Sequence, residues 1–156
     1  MVVFQLHLPS SAGHLIRRFS ARSPAAHRWI RAKANQAEPG IAETPLAIAA
    51  ELRERPGLVV NAPRKVEIGG LTGVVVDVRL DPKWTGTCFY SAPGPGVPVM
   101  RGLPPSDFDH SMGPGFAYRL YLLANGDTTL QIEIQVVHPA SLPELAAIAE
   151  GLRFGQ

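Results

Sequence analysis

Residues 118–137, with the sequence YRLYLLANGDTTLQIEIQVV, contain the pattern that decides the fold. Asn125-Gly126 is the residue pair that a type I′ hairpin turn favours. After it, aliphatic residues alternate with polar ones, a period of two that is typical of a β-strand: Leu130, Ile132, Ile134 and Val136. The stretch therefore predicts a β-hairpin of strands Tyr118–Leu123 and Thr128–Val137.

A second hairpin is predicted upstream from Val66–Ile68 and Val74–Leu80. In the longer segment, hydrophobic residues occupy every second position, which again indicates a strand. The glycine-rich link at 69–73 is typical of a tight turn. The same glycines would need a following helix to bind phosphate through its N-terminal amides, and here a strand follows.

A helix is predicted to begin at Thr44-Pro45, where threonine suits the N-cap and proline the first helical position. Pro56-Gly57 ends it near Arg55.

A second helix is predicted after Ser141-x-x-Glu144, which is a capping-box pattern. Gly151 suits its end, and Leu152–Phe154 is predicted to return to the sheet as a short edge strand.

These elements predict an α+β domain over residues 41–156, with an antiparallel sheet of about four to five strands packed by two helices. The chain has 156 residues, of which 46% are hydrophobic and 18% charged, enough to build one core. Residues 1–40 are predicted to form a basic, acid-free extension that is poorly ordered or holds a short helix at Pro24–Ala37.

The charge is unevenly distributed, because residues 1–37 carry six basic residues and no acid. That composition suits an arm for nucleic acid or an anionic surface, a targeting segment, or a solvated tail. We expect the solvated tail and no nucleic-acid partner. No apolar run approaches the ~18 residues that span a bilayer. The compartment stays open: cytoplasmic if Met1 is the true start, extracytoplasmic or membrane-tethered if the start lies upstream.

The segment from 81 to 115 is a long Pro/Gly-rich loop with seven prolines and six glycines. Loops of this length inside a domain are uncommon and carry function disproportionately. We expect a non-catalytic binding or protein-interaction module that uses this loop and an exposed sheet face to contact a protein or a small ligand. Apolar anchors and orienting cations are the expected contacts: Trp84, Tyr90, Phe108, Arg101 and Arg119.

A small enzyme, hydrolase-like or metal-dependent, is the alternative in a different class. Asp107, Asp109 and His110 offer weak metal ligands, but no fourth ligand of matching spacing is evident. No Gly-x-Ser-x-Gly elbow is present. We therefore assign no catalytic residue and expect no cofactor. Cys88, the single cysteine, cannot form an internal disulfide.

The order of the predicted elements is similar to that of known proteins. The phrase VEIGGLTGVVVDV at 66–78 and the run Asp81-Pro82-Lys83-Trp84 resemble those of uncharacterised actinobacterial proteins. The layout from 42 to 154 is similar to the C-terminal half of PsbP-like domains. This resemblance implies a helix-packed antiparallel sheet that acts by binding. Such domains usually have further N-terminal strands, and without them a sheet edge would be open to a partner or to a second copy of the chain.

Overall fold

The computed structural model describes residues 2–7, 15–20, 44–88, 94–101, 109–137 and 139–154. In chain order the described elements are β1 (Val2–His7), β2 (Leu15–Ser20), α1 (Pro45–Glu54), β3 (Leu58–Val60), β4 (Arg64–Ile68), β5 (Leu71–Leu80), β6 (Val97–Arg101), β7 (Asp109–Met112), β8 (Ala117–Asn125), β9 (Thr128–Val136) and α2 (Leu142–Glu150), which a 3₁₀ turn at Pro139–Ser141 precedes.

Seven of the described strands form one sheet in the order β2-β1-β9-β8-β5-β3, with β4 also paired to β5. The pairs among β3, β4, β5, β8 and β9 are all antiparallel, which confirms the predicted α+β class. β1 joins the edge of β9 in parallel, and β2 pairs antiparallel with β1. The described strands β6 and β7 pair separately.

Both predicted hairpins are confirmed, with shifted turns. Ile68 pairs with Leu71, so the first turn is Gly69-Gly70 alone, and both residues have positive φ, as a type I′ turn requires. In the second hairpin Asn125 pairs with Thr128. Its loop residues are therefore Gly126 and Asp127, one position later than the sequence predicted.

The two predicted helices are confirmed as α1 and α2. Ile48 N–H donates to the Thr44 carbonyl at 3.0 Å, which closes the first turn of α1. The predicted capping box of α2 is wrong: Ser141 ends the 3₁₀ turn in a helical conformation, and its side chain makes no capping bond to the described residues. The helix predicted at Pro24–Ala37 lies outside the described residues.

The predicted edge strand at Leu152–Phe154 is wrong. These residues have no regular secondary structure, and the side chains of Leu152 and Phe154 pack against the core of the α2 face while Arg153 is exposed. The Phe154 ring lies so close to Gly69 that a Cβ there would stand 2.5 Å from its Cδ2 atom. Side-chain packing over a glycine turn therefore takes the place of strand pairing.

The sheet is covered on two faces, here called the α1 face and the α2 face. On the α1 face, α1 and the β6–β7 hairpin pack on alternate residues of β5 and β8, including Val76 and Leu120. On the α2 face, α2 packs on the other set, including Tyr121 and Ile132. β8 is consequently buried on both sides from Ala117 to Leu123, apart from half-buried Arg119.

Two regions differ from the expected layout. Residues 1–40, predicted as an extension, contain the described strands β1 and β2; the domain boundary near residue 40 stays a prediction. The loop from 81 to 115 contains the β6–β7 hairpin, with a register shift between Pro98 and Met100. Val97 and Val99 are buried and alternate with Pro98, and a proline within such a short run argues against a strand in the sequence.

Candidate functional site

Trp84 fixes the start of the 81–115 segment to the α1 face. Its indole is partly buried against the core, and its Nε1 donates to the Gly96 carbonyl at 3.2 Å. A Cβ on Gly57 would lie 2.5 Å from Trp84 Cδ2 and 2.6 Å from Val97 Cγ2. Gly86 meets the indole as closely. The ring thus occupies space that two glycines leave open, and Trp84 positions the segment.

Two backbone hydrogen bonds order the same segment, one at its start and one within it. Asp81 N–H donates to the Gly57 carbonyl at 2.8 Å, and Gly96 N–H donates to the Gly86 carbonyl at 2.9 Å. The second bond joins the two sides of residues 89–93, which lie outside the described residues. The second bond therefore brings the described flanks of that stretch together, and the first ties the start of the segment to Gly57.

Two buried side chains hold the β6–β7 hairpin. The Arg55 guanidinium donates to the Pro98 carbonyl at 2.7 Å and to that of Val99 at 3.1 Å. From β8, the Tyr118 hydroxyl donates to the Ser111 carbonyl at 2.8 Å. The hairpin is therefore bound to α1 through one strand and to the central sheet through the other.

The predicted contact residues fall in different places. Tyr90, Phe108 and Asp107 lie outside the described residues. β6 and β7 place the backbones of Arg101 and Asp109 opposite each other, and His110 pairs with Met100. These positions share one end of the hairpin, and their metal-binding role stays a prediction. Within the part of the chain that the structure describes, no group of three or more His, Cys, Asp and Glu side chains could hold a metal.

Arg119 lies on the α2 face, away from Trp84. It forms a two-point ion pair with Asp77: Nε to Oδ1 at 2.6 Å and Nη2 to Oδ2 at 2.9 Å. Asn61 Oδ1 accepts from the Asp77 backbone N–H at 2.7 Å and so fixes the same residue from β5's neighbouring loop. The hydrogen bond to Asp77 raises the pKa of the Arg119 guanidinium above its ordinary value, so this cation stays charged.

Tyr121 continues the polar network toward α2. Its hydroxyl donates to Glu150 Oε1 at 3.0 Å. Burial, and then the hydrogen bond and negative charge of Glu150, raise the pKa of Tyr121 to about 12. The network links β5, β8 and the end of α2, and we interpret its role as structural.

The sequence analysis missed a polar stripe on β9, formed by Thr129, Gln131, Glu133 and Gln135. These residues alternate with the α2-face core and therefore lie on the α1 face, and the first three are at most 2% exposed. Their alternation was visible in the sequence. Because that pattern is typical of a strand with one solvated face, it gave no sign of their burial.

The stripe places polar and charged side chains in a buried surface. Gln131 Nε2 donates to Glu133 Oε2 at 3.4 Å. Burial, and to a lesser degree the negative charge of Glu133, raise the pKa of the Tyr118 hydroxyl. Gln131 Oε1 is fully buried and has no hydrogen-bond partner among the described residues.

Two further observations bear on function. Cys88 is half-buried. None of the described helices is both long and apolar enough to cross a membrane.

Comparison with known proteins gives no match to a family model, to a curated protein or to a solved structure. The resemblance to PsbP-like domains and to actinobacterial proteins therefore stays a prediction.

Proposed function

We propose that this chain is a non-catalytic binding module that contacts a protein or a small ligand through the 81–115 segment. One observation supports the proposal: described parts of this segment are attached to the rest of the domain at Asp81, through the Trp84 indole and through the β6–β7 hairpin. Arg55 and Tyr118 each donate a side-chain hydrogen bond to the segment from outside it. The Trp84 indole packs against the core and donates to Gly96 within the segment.

The physical argument concerns the cost of ordering. A long loop that becomes fixed only on binding loses conformational entropy at that moment, which lowers affinity. A segment already held on a rigid sheet avoids much of that cost, and binding residues on loops are commonly positioned by such scaffolds. The attachment of a Pro/Gly-rich segment to the core is thus favourable for recognition.

The roles proposed for individual residues differ. Trp84 acts as the positioning residue of the segment. Tyr90, Phe108 and Arg101 remain the proposed contacts. Arg119 takes part only where a partner reaches the α2 face, because its guanidinium is engaged by Asp77 on that side.

Self-association through a sheet edge is the less favoured form of partner binding. β4 lies on the described edge beside β5 and exposes Arg64, Lys65 and Glu67. Charged side chains on an edge strand oppose pairing with another strand. We therefore favour a different molecule as the partner.

Site-specific photo-crosslinking tests the proposal. A benzophenone amino acid replaces exposed Thr87 of the segment, or, as a matched control, exposed Asp127 in the distant β8–β9 turn. Both variants are irradiated in the source cells, and their intact masses are measured. We expect discrete adducts from position 87 that position 127 does not give. Equal adducts from both positions, or none from position 87, would contradict the proposal.

A further inference from the structure

The two ends of the described sheet differ in how they are protected against a further strand. At one end, β3 pairs with β5 up to Val60 and β4 pairs with it from Arg64 onward, so residues 61–63 stand opposite only two residues of β5. This bulge includes Pro63, which has no backbone N–H. Bulges, prolines and charged side chains on an edge strand all oppose pairing with another strand. The β3–β4 edge is therefore unfavourable for strand addition.

The other end of the described sheet is β2, which has neither a bulge nor a proline. Leu15–Ser20 pairs with β1 over its whole length without a register shift. β1 is its one strand neighbour among the described strands. In an edge strand, about half of the backbone N–H and C=O groups point away from the paired neighbour. The outer side of β2 is thus a regular row of backbone donors and acceptors.

The charge of β2 limits the kind of strand that suits this edge. Its two central residues are Arg17 and Arg18, within a region that carries no acid from residue 1 to residue 37. The register places Arg17 in line with Gln5 and Arg18 in line with Phe4. Because successive residues of a strand alternate between the faces of a sheet, one arginine position falls on each face.

These positions distinguish between possible strands. A second copy of β2 would bring arginines beside arginines, and like charges across a strand pair are destabilising. Acidic residues at two successive positions of an added strand would instead oppose Arg17 and Arg18 with opposite charge. A nucleic acid could also attract the arginines, but it cannot extend a β-sheet, so the regular edge favours a peptide.

We propose that β2 is a docking edge for an extended acidic segment of a partner protein, which adds to the sheet as a further strand. Backbone hydrogen bonds give such a strand its affinity, and side-chain positions on the two faces give specificity. Arg17 and Arg18 select adjacent Asp or Glu residues in the partner. This inference concerns β2 and is independent of binding by the 81–115 segment.

NMR titration of the full chain with synthetic peptides tests the docking edge. The probe is a short peptide in which Thr and Val alternate around a central Glu-Glu pair, and its matched control has Gln-Gln instead. A third peptide keeps Glu-Glu but carries N-methyl groups on its backbone amides, which removes its hydrogen-bond donors. We expect amide shifts centred on β2, binding of Glu-Glu at least ~3-fold tighter than of Gln-Gln, and no saturable binding of the N-methylated peptide.

Two double variants assign the charge preference. Arg17→Gln/Arg18→Gln should abolish the preference for Glu-Glu over Gln-Gln. Arg64→Gln/Lys65→Gln removes two exposed basic residues from the β4 edge and should retain that preference. The comparison of the three peptides on the wild-type chain is valid even where a variant fails to fold.

Four results would overturn the inference. They are equal binding of the Glu-Glu and Gln-Gln peptides to the wild type, equally tight binding of the N-methylated peptide, shifts centred away from β2, and no peptide binding. If no peptide binds but a single-stranded oligonucleotide shifts the β2 amides, the edge is a nucleic-acid surface instead.

Discussion

At the scale of single residues, Asp77 and Arg119 illustrate how one contact joins β5 to β8. Bidentate carboxylate–guanidinium pairs are stronger than neutral hydrogen bonds and define geometry. The pair is only partly shielded, with side-chain exposures of 33% for Asp77 and 16% for Arg119. Solvent screening therefore reduces its contribution relative to a buried pair.

Replacing Asp77 with Asn should lower the free energy of unfolding by about 1–2 kcal/mol, because Arg119 loses its anionic partner. Urea denaturation measures the change. Glu67→Gln removes an exposed carboxylate from the edge strand β4 and should change stability by less than about 0.5 kcal/mol. Equal effects of both substitutions would show that the Asp77–Arg119 pair has no special contribution.

The raised pKa of Tyr121 predicts how the stability of the fold changes with pH in the alkaline range. Its pKa rises from 10.0 to about 12 in the folded chain. Between these values only the unfolded chain loses the Tyr121 proton, so the folded state becomes less stable as pH rises. Below pH 10 this contribution is fully present.

The wild-type protein should lose about 2 kcal/mol more stability than Tyr121→Phe between pH 10 and 12. Denaturant unfolding at fixed pH values measures both slopes, and other titrating groups cancel in the comparison. Parallel pH profiles of the two proteins would be inconsistent with a raised Tyr121 pKa.

At the scale of elements, the predictability of a strand depends on how local its signal is. The β8–β9 hairpin was predictable from the alternation of aliphatic and polar residues and from its turn sequence. The β6–β7 hairpin was not predicted, because Pro98 stands within β6 and a proline argues against a strand. The burial of Gln131 and Glu133 depends on what packs over β9, which a local pattern does not encode. The pairing of β1 with β9 joins residues more than 120 positions apart.

Substitutions at two glycines test how closely β5 approaches β8. A Cβ at Gly73 would overlap the carbonyl oxygen of Leu122, whereas a Cβ at Gly126 meets nothing within 4 Å. Gly73→Ala should therefore destabilise the protein by about 3 kcal/mol through overpacking. Gly126→Ala should cost only roughly 1 kcal/mol, from its positive φ. Thermal and urea unfolding measure both, and a Gly73→Ala cost no larger than that of Gly126→Ala would contradict the close approach.

At the scale of the whole molecule, the sheet extends beyond the five antiparallel strands into the basic N-terminal region. β1 pairs along β9 from Val2 to His7. Removing β1 would leave the backbone groups on that edge of β9 without their strand partner. The N-terminal region is thus part of the sheet as well as a carrier of positive charge.

Deletion of residues 2–37 should lower Tm by about 5 °C or more, because the sheet loses two strands. Differential scanning calorimetry measures the shift. The control Arg17→Gln/Arg18→Gln keeps the chain length and removes two charges, and it should melt like the wild-type protein. A truncated chain that also melts like the wild type would show that residues 2–37 are a solvated extension.

The central claim is that the described parts of the 81–115 segment are ordered on the sheet before any partner binds. Amide hydrogen exchange, followed residue by residue by NMR in the free protein, tests it most directly. Asp81 and Gly96 donate backbone hydrogen bonds to Gly57 and Gly86, so their amides should exchange at least ~100-fold more slowly than in an unstructured chain. Exchange of both amides at the unstructured rate would contradict the claim, because the segment would then be open in solution.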